Sequence, residues 1–281
     1  MRKTVAIITP AYKAQVTLPA TVRSVLEQSH GDWQHWIIAD DGADYAGFLA
    51  EQGLADPRQV FLSSGGMGLG ASRARNVALD RLETQYAAIL DADDRLKPQK
   101  LERAVAALAE YGIVTTALDV MDMDFSHLRH VGAGPDRVLS PGEHKRVNIS
   151  MDSMIAWDRS RGDGRYDPGM SNMTDLEFLL QLYRTIPQSC HLGTPLHDYV
   201  KRDGSMSNGK DVAAGMIASK REILRRLGSG YYGLAPEDVA GLAGFLTISL
   251  AAEATYGAAL AAKPGLLFED HLEPMLASGR V

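Results

Sequence analysis

Between Val5 and Tyr111, short apolar runs alternate with segments whose apolar positions recur every three or four residues. That alternation predicts a parallel sheet covered by helices on both faces. Val5-Ala-Ile-Ile-Thr9 reads as a first strand, Trp36-Ile-Ile-Ala-Asp40 as a second, Gln59 to Ser63 as a third and Tyr86-Ala-Ala-Ile-Leu90 as a fourth. Helices are predicted over Leu18 to Gln28 and over Ala71 to Leu82, where Ala74, Val77, Ala78 and Leu82 share a face. A further helix opens at Pro98 and runs to about Tyr111. Ligands of such open sheets bind beyond the carboxyl ends of the strands, so the segments after Thr9, Asp40 and Leu90 are where chemistry is expected.

From Gly112 to Asp158 the pattern loosens into short strands and turns such as Gly132-Ala-Gly-Pro-Asp136 and Ser140-Pro-Gly142. A helix over Asp175 to Tyr183 and a short strand near Leu196 to Lys201 follow, and from about Lys210 the chain reads as helical. The stretch Val239 to Ala262 is rich in Ala and Gly and carries Glu253, and no uninterrupted apolar run reaches the ~18 residues of a membrane span. It predicts a helix packed within the protein or against a second copy. Met1-Arg2-Lys3 begins like a signal peptide, but the apolar run behind it is too short, and it is read as the approach to the first strand. The expected division is 1–112, 113–208 and a helical extension over 209–281.

A chain of 281 residues, 45% of them hydrophobic, can bury a full core. A net charge of -6 argues against a nucleic-acid partner, since phosphate backbones are held by clustered Lys and Arg. Cys190 stands alone, which excludes an intramolecular disulfide, a four-Cys zinc site and a Cys-x-x-Cys motif, and fits a reducing, cytoplasmic setting.

Asp40-Asp41-Gly42 closes one strand and Asp91-Ala92-Asp93-Asp94 another, so two carboxylate clusters arrive at one edge of the sheet. Like charges at close quarters are costly unless a cation or hydrogen-bonding ligand relieves them, and oxygen donors suit Mg or Mn. A lone Asp-x-Asp is more often a turn or a cap; the surroundings decide.

Those surroundings are Val5-Ala-Ile-Ile-Thr-Pro-Ala-Tyr12, Val22-x-Ser24-Val-Leu-x-Gln28, Ile38-Ala-Asp-Asp-Gly42, Gly70-Ala-Ser-Arg-Ala-Arg-Asn76 and Leu90-Asp-Ala-Asp-Asp94. In order and spacing they resemble the nucleotide-sugar half of family 2 glycosyltransferases, with their Rossmann-like α/β fold of GT-A type. The resemblance implies an inverting transfer of sugar from a nucleoside-diphosphate sugar, foremost a UDP-sugar, to an acceptor hydroxyl with a divalent Mn or Mg ion. Thr9 and Pro10 would border the nucleobase pocket, Asp41 would accept a hydrogen bond from the base, and Arg75 would lie against the base or phosphate edge. Asp91 would approach the ribose, Asp93 would hold the metal, and Asp94 would orient the acceptor or support the loop.

Downstream, Tyr166 to Leu182 resembles the family's stretch with a Glu-Asp pair at a helix start, which puts Asp175 at the catalytic-base position and Thr174 where Glu is usual. Taken without the resemblance, Asp175 is an acidic first-turn residue with Thr174 as N-cap. Arg202 stands where the family often has a His, facing the phosphates or making a surface salt bridge, and His197 reads as structural. A glycan, lipid-linked or small-molecule acceptor, a peripheral place at the inner membrane surface and a homodimer through the C-terminal helices complete the expectation.

Rival signals exist. Gly66-Met-Gly-Leu-Gly-Ala71 fits a dinucleotide fingerprint, but it does not open the fold and leaves Asp93 and Asp94 unexplained; it reads as a turn near the donor. Asp122-Met-Asp124 reads as a loop, and His127, His130, His144 and His191 as plain surface or core residues, with no pair at metal-ligand helical spacing. Thr174 and Arg202 leave open a non-catalytic relative that binds a nucleotide-sugar without transferring it.

Overall fold

A computed structural model describes residues 4–149, 154–201 and 212–279. In chain order the elements are β1 (Val5–Ala11), α1 (Leu18–Leu26), β2 (Trp33–Ala39), α2 (Tyr45–Glu51), β3 (Gln59–Ser63), α3 (Ala71–Leu79), β4 (Tyr86–Ile89), β5 (Arg95–Leu96) and α4 (Lys100–Tyr111). They continue with β6 (Ile113–Met121), β7 (His127–Val131), β8 (Arg137–Leu139), α5 (Pro141–Val147), β9 (Ala156–Asp158), α6 (Thr174–Leu182), β10 (Ser189–Val200), α7 (Val212–Gly228), α8 (Pro236–Ala262) and α9 (Phe268–Ser278).

One sheet runs through the molecule in the order β3-β2-β1-β4-β9-β6-β10-β5, with β7 beside β6 and β8 beside β10. The first four of these strands are parallel, and β9 lies antiparallel between β4 and β6. Successive side chains of a strand point to opposite faces. Ala6 and Ile8 of β1 therefore join a core with Ala74 and Ala78 of α3, while Val5 and Ile7 join another with Leu101, Ala104 and Leu108 of α4. Both faces being covered, the strands read as continuous apolar runs rather than alternating ones. Register pairs Ala11 with Ala39 and Ile8 with Ile89, so the ends of β1, β2 and β4 open onto one edge.

The second half is more regular than the sequence pattern suggests. β6 is a nine-residue strand in the sheet interior, and β10 begins at Ser189 rather than near Leu196. Both strands hide polar side chains inside: Thr116 of β6 accepts from Lys100 Nζ at 2.8 Å, and Thr115 pairs with His191 Nδ1 of β10 at 3.0 Å. Buried polar groups satisfied across elements erase the alternation on which a strand is recognised. α5 follows Ser140, whose backbone N–H donates to Glu143 at 3.0 Å with Pro141 at the first helical position.

The C-terminal helices share the main core. Leu242, Phe245, Leu246 and Ala252 form the buried stripe of α8, at helical spacing. α8 meets α5 where Gly142 donates its N–H to Asp238 Oδ1 at 2.9 Å, and a Cβ on Gly241 would sit 2.6 Å from the Gly142 carbonyl oxygen. Glu253 is buried against Lys220 at 2.6 Å. Among the described residues α8 is the one helix long and apolar enough to cross a membrane, although it packs one stripe onto the protein and leaves its other faces open.

Candidate active site

The turn after β2 is organised from within by a carboxylate. Asp40, only 3% exposed, accepts from Ser64 Oγ at 2.6 Å and from the backbone N–H groups of Leu69 and Gly70 at 3.0 and 2.8 Å. The glycine-rich turn before α3 thus wraps around Asp40, with Gly68 and Gly70 at φ +65° and +94°, backbone that other residues adopt only under strain. A dinucleotide fingerprint presents such N–H groups to a pyrophosphate; here Asp40 consumes those of Leu69 and Gly70, in keeping with the turn reading.

Asp41 points the other way. It accepts from the Lys13 N–H at 2.6 Å, from Tyr45 Oη at 2.9 Å and from the Ala43 N–H at 3.1 Å. Burial works against its charge, but these donors outweigh it and hold the carboxyl below the ordinary carboxylate range. A cavity of about 300 Å³ opens beside it at the ends of β2 and β3, lined by Ala39, Gly42, Tyr45 and Phe61. A larger one, about 610 Å³, lies around Thr4, Gln34 and Gln85 at the opposite edge of the sheet, away from the carboxylate clusters. Pro10 is half-buried at the end of β1, whereas Thr9 is fully buried with its hydroxyl 2.9 Å from His35 Nε2. Thr9 therefore contributes backbone, not its side chain, to that edge.

Arg75 is the hub of the strand-end edge. On α3 and 3% exposed, it reaches Asp91 Oδ1 with one terminal nitrogen at 2.5 Å and Asp175 Oδ1 with the other at 3.1 Å. Its guanidinium carbon lies 4.8 Å from the centroid of the Tyr166 ring, which in turn stacks on Phe178 at 4.4 Å. Burial disfavours the guanidinium charge, but the two carboxylates raise its affinity for the proton above the ordinary value. Asp91 and Asp175, 84 residues apart in sequence, are thereby brought into one cluster, each about a quarter exposed. The sequence alone assigns no role to Tyr166 or Asn76. Asn76 locks Tyr166 by a reciprocal pair, Nδ2 to the Tyr166 carbonyl at 2.8 Å and the Tyr166 N–H to Oδ1 at 2.9 Å. The Arg-Asn pair at the centre of α3 is the signal that could have found them.

Asp93 is half-buried on the loop after β4. Its neighbour Asp94 is 1% exposed: Oδ2 meets His197 Nε2 at 2.9 Å and Oδ1 accepts from the Val200 N–H at 3.0 Å. Burial drives both toward neutrality, Asp94 well above the usual carboxylate range and His197 down to about 3. Asp94 thus supports the loop from inside, with both oxygens engaged by His197 and the Val200 N–H. Asp91, Asp198 and Asp175 add to the push on Asp94; Asp198 is answered by Arg95 and Lys97, whereas Asp91 and Asp175 share the one guanidinium of Arg75, which leaves negative charge in surplus there. That surplus and an all-oxygen donor set fit a divalent ion held by Asp93.

α6 begins at Thr174 with Met173, φ +53°, as its N-cap, so Thr174 is the first helical residue rather than the cap, and Asp175 stands in the first turn. From behind, Arg226 of α7 reaches Glu177 at 2.8 Å and Asp167 at 2.5 Å, clamping α6 and the loop that carries Tyr166. Arg202 lies outside the described residues.

A Rossmann-like α/β scaffold with carboxylates gathered at its strand ends is the architecture expected of a GT-A type glycosyltransferase, and the comparisons with known proteins agree. The Glycosyl transferase family 2 model matches residues 6–155, and the chain belongs to that family. It is 28% identical over 212 residues to TuaG of Bacillus subtilis strain 168, a glycosyltransferase assigned to teichuronic acid biosynthesis, covering 75% of this chain and 84% of that protein. It is 33% identical over 109 residues to WfgD of Escherichia coli, a UDP-Glc:alpha-D-GlcNAc-diphosphoundecaprenol beta-1,3-glucosyltransferase, covering 39% and 42% of the two chains. The fold matches Staphylococcus aureus TarS 1–349 in complex with UDP-GlcNAc, with a TM-score of 0.68 at 14% identity over 98% of this chain and 80% of that one. It also matches the mannosyltransferase PcManGT of Pyrobaculum calidifontis in complex with GDP-Man and Mn2+, with a TM-score of 0.61 at 16% identity, over 99% and 80%.

Proposed function

We propose that the enzyme moves a sugar from a nucleoside-diphosphate sugar, foremost a UDP-sugar, to an acceptor hydroxyl by a single inverting displacement assisted by Mn or Mg. The observation that carries this reading is Arg75 joining Asp91 of the donor loop to Asp175 of α6. A nucleotide would enter over the edge formed by Pro10 and Asp41, with Asp91 toward its ribose and Arg202 toward the phosphates. Asp93 would hold the divalent ion, whose contribution is to neutralise the departing diphosphate. Asp175, fixed by Arg75, would take the proton of the attacking hydroxyl on the face opposite the leaving group. Residues 1–112 would thus serve the donor and 113–208 the acceptor. The UDP preference rests on the nucleotides named for TarS and WfgD, against the GDP-Man of PcManGT.

Calorimetric titration with UDP, GDP, TDP and CDP, with manganese and then with a chelator, tests the donor half. UDP binding that needs the metal and is lost in Asp93→Ala is the expected result; a different diphosphate would rename the donor, and no binding would leave a non-catalytic scaffold. Asp175→Asn is expected to lower turnover about a hundredfold to ten-thousandfold with UDP affinity unchanged, and full activity would remove Asp175 from its role. The acceptor is proposed to be a glycan or lipid-linked sugar met at the cytoplasmic face of a membrane, with the open faces of α8 toward the lipid. Co-sedimentation with anionic vesicles checks this, and mass in solution checks the other use of those faces, pairing of two copies.

A further inference from the structure

We propose that Asp119, His127 and His130 form a second cation site, for a transition-metal ion of the zinc class, separate from the all-oxygen site at Asp93. The two histidines stand three residues apart on a strand, a spacing that puts side chains on opposite faces when the strand is regular. β7 is not regular. Its pairing with β6 runs Asp119 to His130 and Val120 to Arg129, then slips so that Met121 faces His127, with Leu128 as the extra residue. Such a bulge re-aims a side chain, and here it brings His127 and His130 together over Asp119.

Three ligand atoms converge. His127 Nε2 lies 3.2 Å and His130 Nδ1 2.5 Å from the same oxygen, Asp119 Oδ1, and the two nitrogens are 3.2 Å apart. Tetrahedral zinc, with bonds of about 2.0–2.1 Å, sets its ligand atoms about 3.3 Å from one another. Two sides of the triangle already have that length, and the third must open by less than about 1 Å. The imidazoles can make that adjustment, since their side chains are 42% and 56% exposed, whereas Asp119 is 7% exposed and fixed. Its other oxygen is ion-paired with Lys97, the kind of outer contact that orients a metal-binding carboxylate. Two imidazole nitrogens and one carboxylate oxygen, with the remaining positions open to water, suit zinc, cobalt, nickel or copper rather than magnesium or calcium.

The site would pin the bulged hairpin. β7 also carries Arg129, ion-paired with Asp270 and Glu273 of α9, so a metal on its neighbours would tie the sheet edge and the C-terminal helices into one unit.

Calorimetric titration of tag-free, full-length protein with Zn2+, without nucleotide, tests the proposal in three forms: the natural sequence, Asp93→Ala, and the double variant His127→Gln/His130→Gln. The first two are expected to bind one ion with equal affinity. The double variant is expected to lose at least about a hundredfold, the upper end of what losing an outer contact alone costs. Cu2+ electron paramagnetic resonance should give nitrogen splittings in the first two and none in the third, and Zn2+ should raise the thermal midpoint of the first two only. Equal zinc affinity in the double variant, or an oxygen-only copper spectrum in the natural sequence, would overturn it. Because both imidazoles are exposed, the metal-free circular dichroism and melting of the double variant should match the parent, which separates lost ligation from lost folding.

Discussion

Arg75 concentrates more consequence than any other single side chain at the strand-end edge. It is buried, and it is the partner of two carboxylates that come from different halves of the chain. Removing the cation strands two acids beside each other, and breaking a buried pair of this kind typically costs about 3–5 kcal/mol. Arg75→Met is therefore expected to lower unfolding free energy by about that amount in urea titration and to abolish turnover. Arg75→Lys keeps one charge but lacks the planar fork that spans both acids, so it should recover part of the stability and little activity. An Arg75→Met protein as stable as the parent would mean that the two carboxylates are held apart by something else. The sequence placed Arg75 against the base or phosphate edge; its engagement with Asp175 was not legible, because contact across 100 residues depends on how α6 docks.

At the scale of elements, the donor half was readable and the acceptor half much less so. β1, β2 and β4 are buried on both faces and β3, at the sheet edge, is half-buried; their apolar runs coincide with their boundaries within a few residues, whereas the short helix α2 between β2 and β3 buries only Tyr45 and Leu49 and leaves no apolar stripe to read. β6 and β10 carry Thr115, Thr116 and His191 inward, and their partners come from elsewhere in the chain, which no local pattern encodes. The meeting of His127 and His130 over Asp119 is hidden for a related reason: it depends on the bulge in β7, which a helical spacing rule does not describe. The crossing of α5 and α8 is set by two glycines in contact. A side chain at 241 would press on the Gly142 backbone, so Gly241→Val is expected to cost about 1–3 kcal/mol through overpacking. Limited proteolysis of that variant should release fragments from the α8 region before the sheet is cut; a parental melting temperature and digestion pattern would refute the close crossing.

For the whole molecule, the buried histidines set the acid limit. Burial brings His35 down to about 3 and His191 to about 4, against 6.5 for a free imidazole. Above about pH 6.5 folded and unfolded chains both carry these rings neutral, so they contribute no slope. Below it the unfolded chain takes up protons that the folded chain refuses, and stability falls by up to about 1.4 kcal/mol per pH unit for each ring, until the pH nears 3 to 4. Melting curves between pH 7.5 and 4.5 should show this decline, and it should be shallower in a His35→Gln/His191→Gln variant; equal slopes would place the acid sensitivity in other groups. Another long-range tie is the clamp from Arg226 to Glu177 and Asp167. The helix that holds the proposed base in register is braced by a residue more than forty positions beyond it, in a segment that supplies none of the proposed donor or metal contacts. Anyone recombining this enzyme with a relative to exchange acceptors would be tempted to cut near residue 208 and take any helical tail; the junction would carry a hidden dependency, and only tails offering a guanidinium at that spot would give working hybrids.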